Sequence, residues 1–349
     1  MAVYTTIDKS TDYFNTVLYT GTGSDNNAIT GVGFSPDWVW LKKRSATGGH
    51  FIQDRVRGAT KSIYTDGNFA EDTVTTAHKS FDSDGFTLGT NGNVNISSGT
   101  HVSWNWLAGG SASSNSNGTI TSSVSVNTTA GFSIATYTGN NSNAQTIGHG
   151  LGVAPKVYII KRRDSSSAWG MYHGSLGTNK YLQVESTNAV ATDTGIWNNT
   201  APTSTVLSLG NAGYFNNASS GTYVCYAFSE VKGYSSMGTY IGNGSADGTF
   251  VYTGFKPAWV MTKISSTSGG WLIHDSTKTP FNGLNSNTNG LRPNSTEAEF
   301  DFFDIDYLSN GFKLRTAEAN HNTNDATFIY MAFAESPFVN SNGVPNNAR

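Results

Sequence analysis

Residues 34–44 read FSPDWVWLKKR, and near-copies of this stretch start at Val153 (VAPKVYIIKRR) and at Phe255 (FKPAWVMTKIS). In each copy a glycine stands three residues before the proline (Gly33, Gly152, Gly254) and a lysine six after it (Lys42, Lys161, Lys263). Proline is tolerated where a strand begins, because its missing N–H is not needed in the ladder. In the first copy Trp38 and Trp40 alternate with Val39 and Leu41, so both faces of the strand are apolar. Such a strand expects cover on both sides, as in a sandwich or where units touch.

Working outward, the same anchors recur at a period of roughly a hundred residues, as tandem units do. Each unit opens on a strand ending in Tyr and a Gly turn: LYTGTG from Leu18, TYTGNN from Thr136 and TYIGNG from Thr239. Eight residues past the lysine, His50, Trp169 or Trp271 opens a further strand, HFIQD, WGMYH or WLIHD. Each unit closes on a Thr-initiated strand whose seventh residue is aromatic: THVSWNW from Thr100, TYVCYAF from Thr222 and TFIYMAF from Thr327. Short apolar strands separated by Gly- and Asn-rich gaps favour an all-β chain over a βαβ fold. The expectation is three tandem antiparallel β-sandwich or jelly-roll-like repeats in a row. The boundaries read as an N-terminal arm over 1–12, repeats over 13–110, 131–236 and 237–338, a linker region over 111–130 and a C-terminal tail over 339–349. The linker stretch GGSASSNSNGTITSS, from Gly109, has the composition of a flexible connection. The tail is expected to lie extended on a neighbour or to be mobile.

Composition narrows the function classes. The chain has 349 residues, 13% charged, with a net charge of −3 and no basic run longer than the triplets Lys42–Arg44 and Lys161–Arg163, so the electrostatic footprint of a nucleic-acid binder is missing. The start MAVYTTIDKSTDYF lacks the features of a secretory signal and no apolar run has the length of a membrane span, so a soluble protein made in a cytoplasm is expected, with no membrane insertion. Cys225, the single cysteine, sits in the apolar run TYVCYAF and reads as a buried thiol rather than a nucleophile.

No Gly-x-Ser-x-Gly elbow, P-loop, His-Glu-x-x-His or Cys-x-x-Cys occurs, and no catalytic residue is assigned. The densest acidic stretch, EAEFDFFDIDYLSNG, carries Glu297, Glu299, Asp301, Asp304 and Asp306. It reads as a solvated strand face, with Asp304 and Asp306 the weak Ca²⁺ candidates and a catalytic carboxylate pair the third alternative. No other cofactor is implied. Twelve residues past each repeated lysine stands a polar residue, Asp54, His173 or Asp275, which either contacts a ligand or hydrogen-bonds the adjacent turn. The repeat-equivalent tryptophans read as core. Trp197, in the polar stretch GIWNNTAP, reads as an exposed contact residue and so joins Asp54, His173 and Asp275 as a ligand-binding candidate.

The stretches IDKSTDYFNTVLYTGTG from Ile7, GVGFSPDWVWLKKRS from Gly31 and ATFIYMAFAESPFVNSNGVPNNAR from Ala326 resemble uncharacterised repeat-containing virion proteins of tailed, often marine, bacteriophages, described as tail-fibre-like or structural. The resemblance covers nearly the whole chain, although Asp37 of the first copy is replaced by Lys156 and Ala258 in the others. It implies a non-enzymatic structural protein on the virion surface, a fibre or decoration subunit assembled in the host cytoplasm. Its implied partners are other virion proteins and further copies of itself, a trimer being common among fibres. A carbohydrate-binding module recognising host surface glycans, and a glycan depolymerase, are the alternatives.

Overall fold

The computed structural model describes residues 4–278, 282, 289–301 and 305–347. The chain is all-β, built from several antiparallel sheets, with only short helical turns such as Gly92–Asn95 and Ala319–Asn322. Among the described residues no helix is long and apolar enough to cross a membrane.

The same four-strand order appears in each of the three units found in the sequence. In the first, the opening strand Phe14–Thr20 pairs with the closing strand Thr100–Trp106. The closing strand pairs in turn with the proline strand Trp38–Lys43, and that strand with His50–Asp54. In the second the order runs Phe132–Thr138, Thr222–Phe228, Val157–Arg162 and Trp169–His173. In the third it runs Ser235–Ile241, Thr327–Pro337, Phe255–Ile264 and Trp271–Asp275. Each set is accompanied by a smaller sheet: Asn27–Thr30, Gly85–Leu88 and His78–Asp82 in the first, Gln145–Gly148 and Val206–Leu209 in the second, and Phe250–Tyr252, Gly311–Leu314 and Ile305–Leu308 in the third. The glycine before each proline is explained locally, since Gly33, Gly152 and Gly254 all have positive φ (89°, 76° and 81°), where a side chain would be strained.

The 111–130 segment is more ordered than its composition suggests. Ser122–Asn127 pairs onto Phe132–Thr138 and Ser113–Asn115 onto Ser122–Asn127, which brings the second unit's large sheet to eight strands. Val124 is buried and Ile120 bridges to Ile147, so a few apolar side chains anchor an otherwise Ser/Asn-rich stretch. The tail folds back, with Asn346 donating its side-chain amide to the carbonyls of Ser336 and Pro337.

Period-two alternation divides each large sheet between two cores. Val39 and Leu41 face a cluster with Ile29, Phe86 and Leu88 inside the first unit. Tyr158 and Ile160 join Cys225, Trp197 and Leu207 inside the second, and Val260 joins Phe312 and Phe328 inside the third. The opposite faces, with Trp38, Trp40, Trp104 and Trp106, Val157 and Tyr226, and Trp259 and Met331, merge into one cluster that includes all three units. The aromatic seventh residues of the closing strands meet there: Trp106 and Phe333 have ring centroids 5.5 Å apart, and Phe228 and Phe333 5.8 Å apart. The units are therefore gathered around a common core rather than strung out in a row. Burying rings of this size in a shared core is a large apolar contribution, and it ties the units to one another.

Candidate functional site

The recurring twelfth-position residues end the strands His50–Asp54, Trp169–His173 and Trp271–Asp275, and all three are buried. One atom of each accepts from the following turn: Asp54 Oδ1 from the Arg57 N–H (2.8 Å), His173 Nδ1 from the Ser175 N–H (3.2 Å) and Asp275 Oδ1 from the Thr277 N–H (2.7 Å). The other atom reaches the closing strand of the next unit. Asp54 Oδ2 accepts from the Tyr226 hydroxyl at 2.6 Å. Asp275 Oδ2 accepts from Trp104 Nε1 at 2.8 Å and from Thr16 Oγ1 at 2.5 Å. His173 Nε2 lies 3.4 Å from the Tyr330 carbonyl. Because His173 Nδ1 accepts, Nε2 carries the proton and donates. Tyr226 and Trp104 are the fifth residues of their closing strands; the third unit has Met331 there, which has no donor, so His173 turns to the backbone instead.

The repeated lysines close the opposite direction of the ring. Lys42 Nζ donates to Gly48 O (2.5 Å) and to Thr296 O of the third unit (3.1 Å). Lys161 Nζ donates to Ser167 O and to Asn68 O of the first unit (3.1 Å). Lys263 Nζ donates to Ile264 O (2.7 Å) and to Thr187 O of the second (3.3 Å). Burial pushes all three ammonium groups down to a pKa of about 8. Backbone bonds repeat alongside them: Gly48 N–H to Thr296 O, Ser167 N–H to Asn68 O and Gly269 N–H to Thr187 O, each 2.8 Å. Glu299, Glu71 and Val190 return N–H bonds to the carbonyls of Arg44, Arg163 and Ser265. The residues that open the neighbouring strands join in, since Trp169 Nε1 donates to Tyr64 O (2.8 Å) and Trp271 Nε1 to Gln183 O (3.0 Å). His50, at the same position, accepts from Trp40 Nε1 at Nδ1 and donates from Nε2 to Arg292 O at 3.0 Å. Every unit thus touches both others through corresponding positions.

Charge is distributed unevenly around this ring. Between the first and second units Arg57, buried, is clamped by Asp54 (2.5 Å) and Glu71 (2.9 Å), and Glu71 also pairs with Arg163 at 2.8 Å. Between the third and first, Glu299 pairs with Arg44 at 2.7 Å and with Lys278 at 3.1 Å. The second and third are joined at the corresponding place by Val190 and Ser265, with no ion pair there among the described residues. Arg57, Glu71 and Tyr226 were not singled out in the sequence. The available signal was spacing, since Glu71 and Val190 each lie seventeen residues after Asp54 and His173.

Two expectations are corrected here. Trp197 is not an exposed aromatic: it is fully buried, its Nε1 donates to Lys180 O at 2.9 Å and its ring packs edge-on against Tyr158. The polar loop folds its one large ring inward because that burial offsets the ordering of its neighbours. Asp54, His173 and Asp275 are likewise inside the molecule, so no solvent-facing groove unites them with Trp197. In the acidic stretch, Asp304 and the Asp301 side chain lie outside the described residues. Asp306 is buried against Arg315 at 2.6 Å, and Glu297 pairs with Arg292 at 2.8 Å. Among the described residues no three His, Cys, Asp or Glu side chains gather as a metal site would need. Cys225 is buried and its thiol is pushed up by burial, as a packing residue would be.

A family model described as a domain of unknown function, DUF7483, matches residues 9–337. The chain belongs to this family. The DUF7483 match begins in the N-terminal arm and ends with the last strand, Thr327–Pro337, so it takes in all three units and the core they share. Searches of the curated proteins and of the solved structures returned no match.

Proposed function

We propose that this DUF7483 chain is a non-enzymatic structural protein of a tailed-phage particle, a fibre or surface-decoration subunit assembled with other virion proteins in the host cytoplasm and exposed on the virion. The observation that carries the reading is the use of the most regularly repeated polar positions. Asp54, His173, Asp275 and the three lysines hold the units to one another rather than lining an open cleft. An enzyme concentrates perturbed polar groups where substrate can reach them, whereas a particle component needs a rigid body that presents its outside. We read each unit as a β-sandwich module, its large sheet set against its smaller one across its own apolar cluster, with the three modules closed head to tail within one chain. The glycan-binding alternative has lost Trp197 as its anchor.

The test is immunogold labelling of purified particles with antibodies to the recombinant protein, alongside mass spectrometry of their protein content. Labelling at regular positions on the particle is expected. Its absence from particles whose host cells do make the protein overturns the reading.

A further inference from the structure

We propose that the edge strand Phe250–Tyr252 pairs antiparallel with the same strand of a second copy, centred on Val251, and so joins two chains about a twofold axis. Register relates the small sheets of the three units. Val251 faces Phe312, Ile29 faces Phe86 and Ile147 faces Leu207, so Phe250 and Tyr252 correspond to Ala28 and Thr30 in the first unit and to Thr146 and Gly148 in the second. Only the third unit places two aromatic rings at these positions, and they are 44% and 57% exposed. Ile241, whose carbonyl accepts from Thr249 Oγ1, adds a third exposed apolar side chain, 52% accessible, where the other units have Thr20 and Thr138.

The backbone of this strand is poised for a partner. Leu314 donates to Thr249 O and Thr253 to Asn310 O, which fixes Val251 as the residue bonded inward to its neighbour. In an antiparallel ladder the residues on either side then turn their N–H and C=O groups to the open edge. Among the described residues nothing pairs with those groups of Phe250 and Tyr252. The second unit shows the same edge filled. Ile120 N–H donates to Thr146 O at 3.0 Å, Thr119 Oγ1 accepts from the Thr146 N–H at 2.8 Å and Ser122 Oγ donates to Gly148 O at 2.8 Å, so residues 118–122 run along it through a single parallel bridge, Ile120 to Ile147, and side-chain bonds.

The occupant at the third unit is a second copy because the strand is complementary to itself. With Val251 opposite Val251, Phe250 stands opposite Tyr252 in both directions. Those are the residues whose backbone groups face outward, so each pair exchanges both of its hydrogen bonds while its rings meet across the strands. The strand carries no Lys or Pro, and of the usual protections of an edge strand it has only its three-residue length. Tyr4 marks one end of the surface, donating to Gly254 O at 2.8 Å with its hydroxyl 3.5 Å from that of Tyr252.

The test is sedimentation velocity over a concentration series, and its failure would leave the particle labelling untouched. The wild-type protein is expected to shift from monomer to dimer as concentration rises. Tyr252→Pro removes an outward N–H together with the exposed ring, leaves the inward bonds of Val251 in place, and should stay monomeric with little change in denaturation midpoint. Phe250→Ala with Tyr252→Thr, which copies the first unit's edge, should weaken the dimer at least tenfold. Amide exchange at Phe250 and Tyr252 should slow in the concentrated wild type alone. A wild type that is monomeric throughout, or a dimer that persists in both variants, overturns the proposal, as does capture of the edge only by a different protein.

Discussion

The seam between the first and second units and the seam between the second and third use the same backbone contacts with different chemistry. At the first, Ser167 N–H meets Asn68 O and Glu71 N–H meets Arg163 O, and a chain of Tyr226, Asp54, Arg57, Glu71 and Arg163, buried at the first three and half-buried at the last two, is laid over them. At the second, Gly269 N–H meets Thr187 O and Val190 N–H meets Ser265 O, and the side chains add His173 on a carbonyl and Lys263 on another. Backbone geometry is what repeats, whereas side chains at matching positions are free to be ionic or neutral. Their chemistry ranks the seams by how much a single truncation should cost.

The largest effect is expected at Asp54. Asp54→Ala leaves the Arg57 guanidinium buried with one carboxylate fewer and the Tyr226 hydroxyl without its acceptor, so a loss of about 3–5 kcal/mol is expected in denaturant unfolding. Asp275→Ala leaves three donors, Trp104 Nε1, Thr16 Oγ1 and the Thr277 N–H, but no buried cation at hydrogen-bond distance, and should cost about 1.5–3 kcal/mol by the same measurement. His173→Ala removes one long bond to a carbonyl and one turn contact, for about 0.5–1.5 kcal/mol. Equal losses at the three positions would break the comparison and make the seams energetically alike.

The pH dependence sums over several buried groups in all three units. Burial lowers His78 and His173 to about 4 and His321 to about 3, below the usual 6.5. Between those values the unfolded chain binds more protons than the folded one, so stability should fall as pH drops from about 6.5 towards 4. The three repeated lysines, lowered to about 8, act in the alkaline range. Between about 8 and 10 the unfolded chain again holds more protons, so stability should rise with pH. The rise should reverse near 10, where the unfolded tyrosines ionise while buried ones such as Tyr158 and Tyr240 resist. Denaturation midpoints from pH 4 to 10 check both limbs, and His173→Gln should flatten only the acidic one. A flat response between 8 and 9.5 would show that the lysines do not stay buried.

Much of the fold was legible in local pattern. The alternation Trp38, Trp40 against Val39, Leu41 announced a strand covered on both faces, and each face found a core. The proline of each copy announced a strand start, and in the first two the strand begins two residues later, at Trp38 and Val157, whereas Pro257 lies inside Phe255–Ile264 at a shift of register. The candidate site was half legible. Spacing selected Asp54, His173 and Asp275, but their partners Tyr226, Tyr330 and Trp104 are 157 to 172 residues away, and single-chain pattern carries no such pairing. Trp197 was misread because a polar loop specifies no direction for its one ring; packing against Tyr158 decided that. The 111–130 segment was read by its Ser, Asn and Gly content, while Ile120, Val124 and an available sheet edge made it strand.

By itself the sequence determined the unit, its three-fold recurrence, its β character and the residues that would be polar at strand ends, because turn chemistry and period-two alternation act over a few residues. It took the tertiary structure to gather the units around one aromatic core, to turn the repeated polar residues into seams, and to leave Phe250 and Tyr252 on a bare aromatic edge. Those outcomes depend on which of many compatible surfaces meet, and that is settled by the burial of whole faces and the pairing of every buried polar group, not by any short stretch of chain.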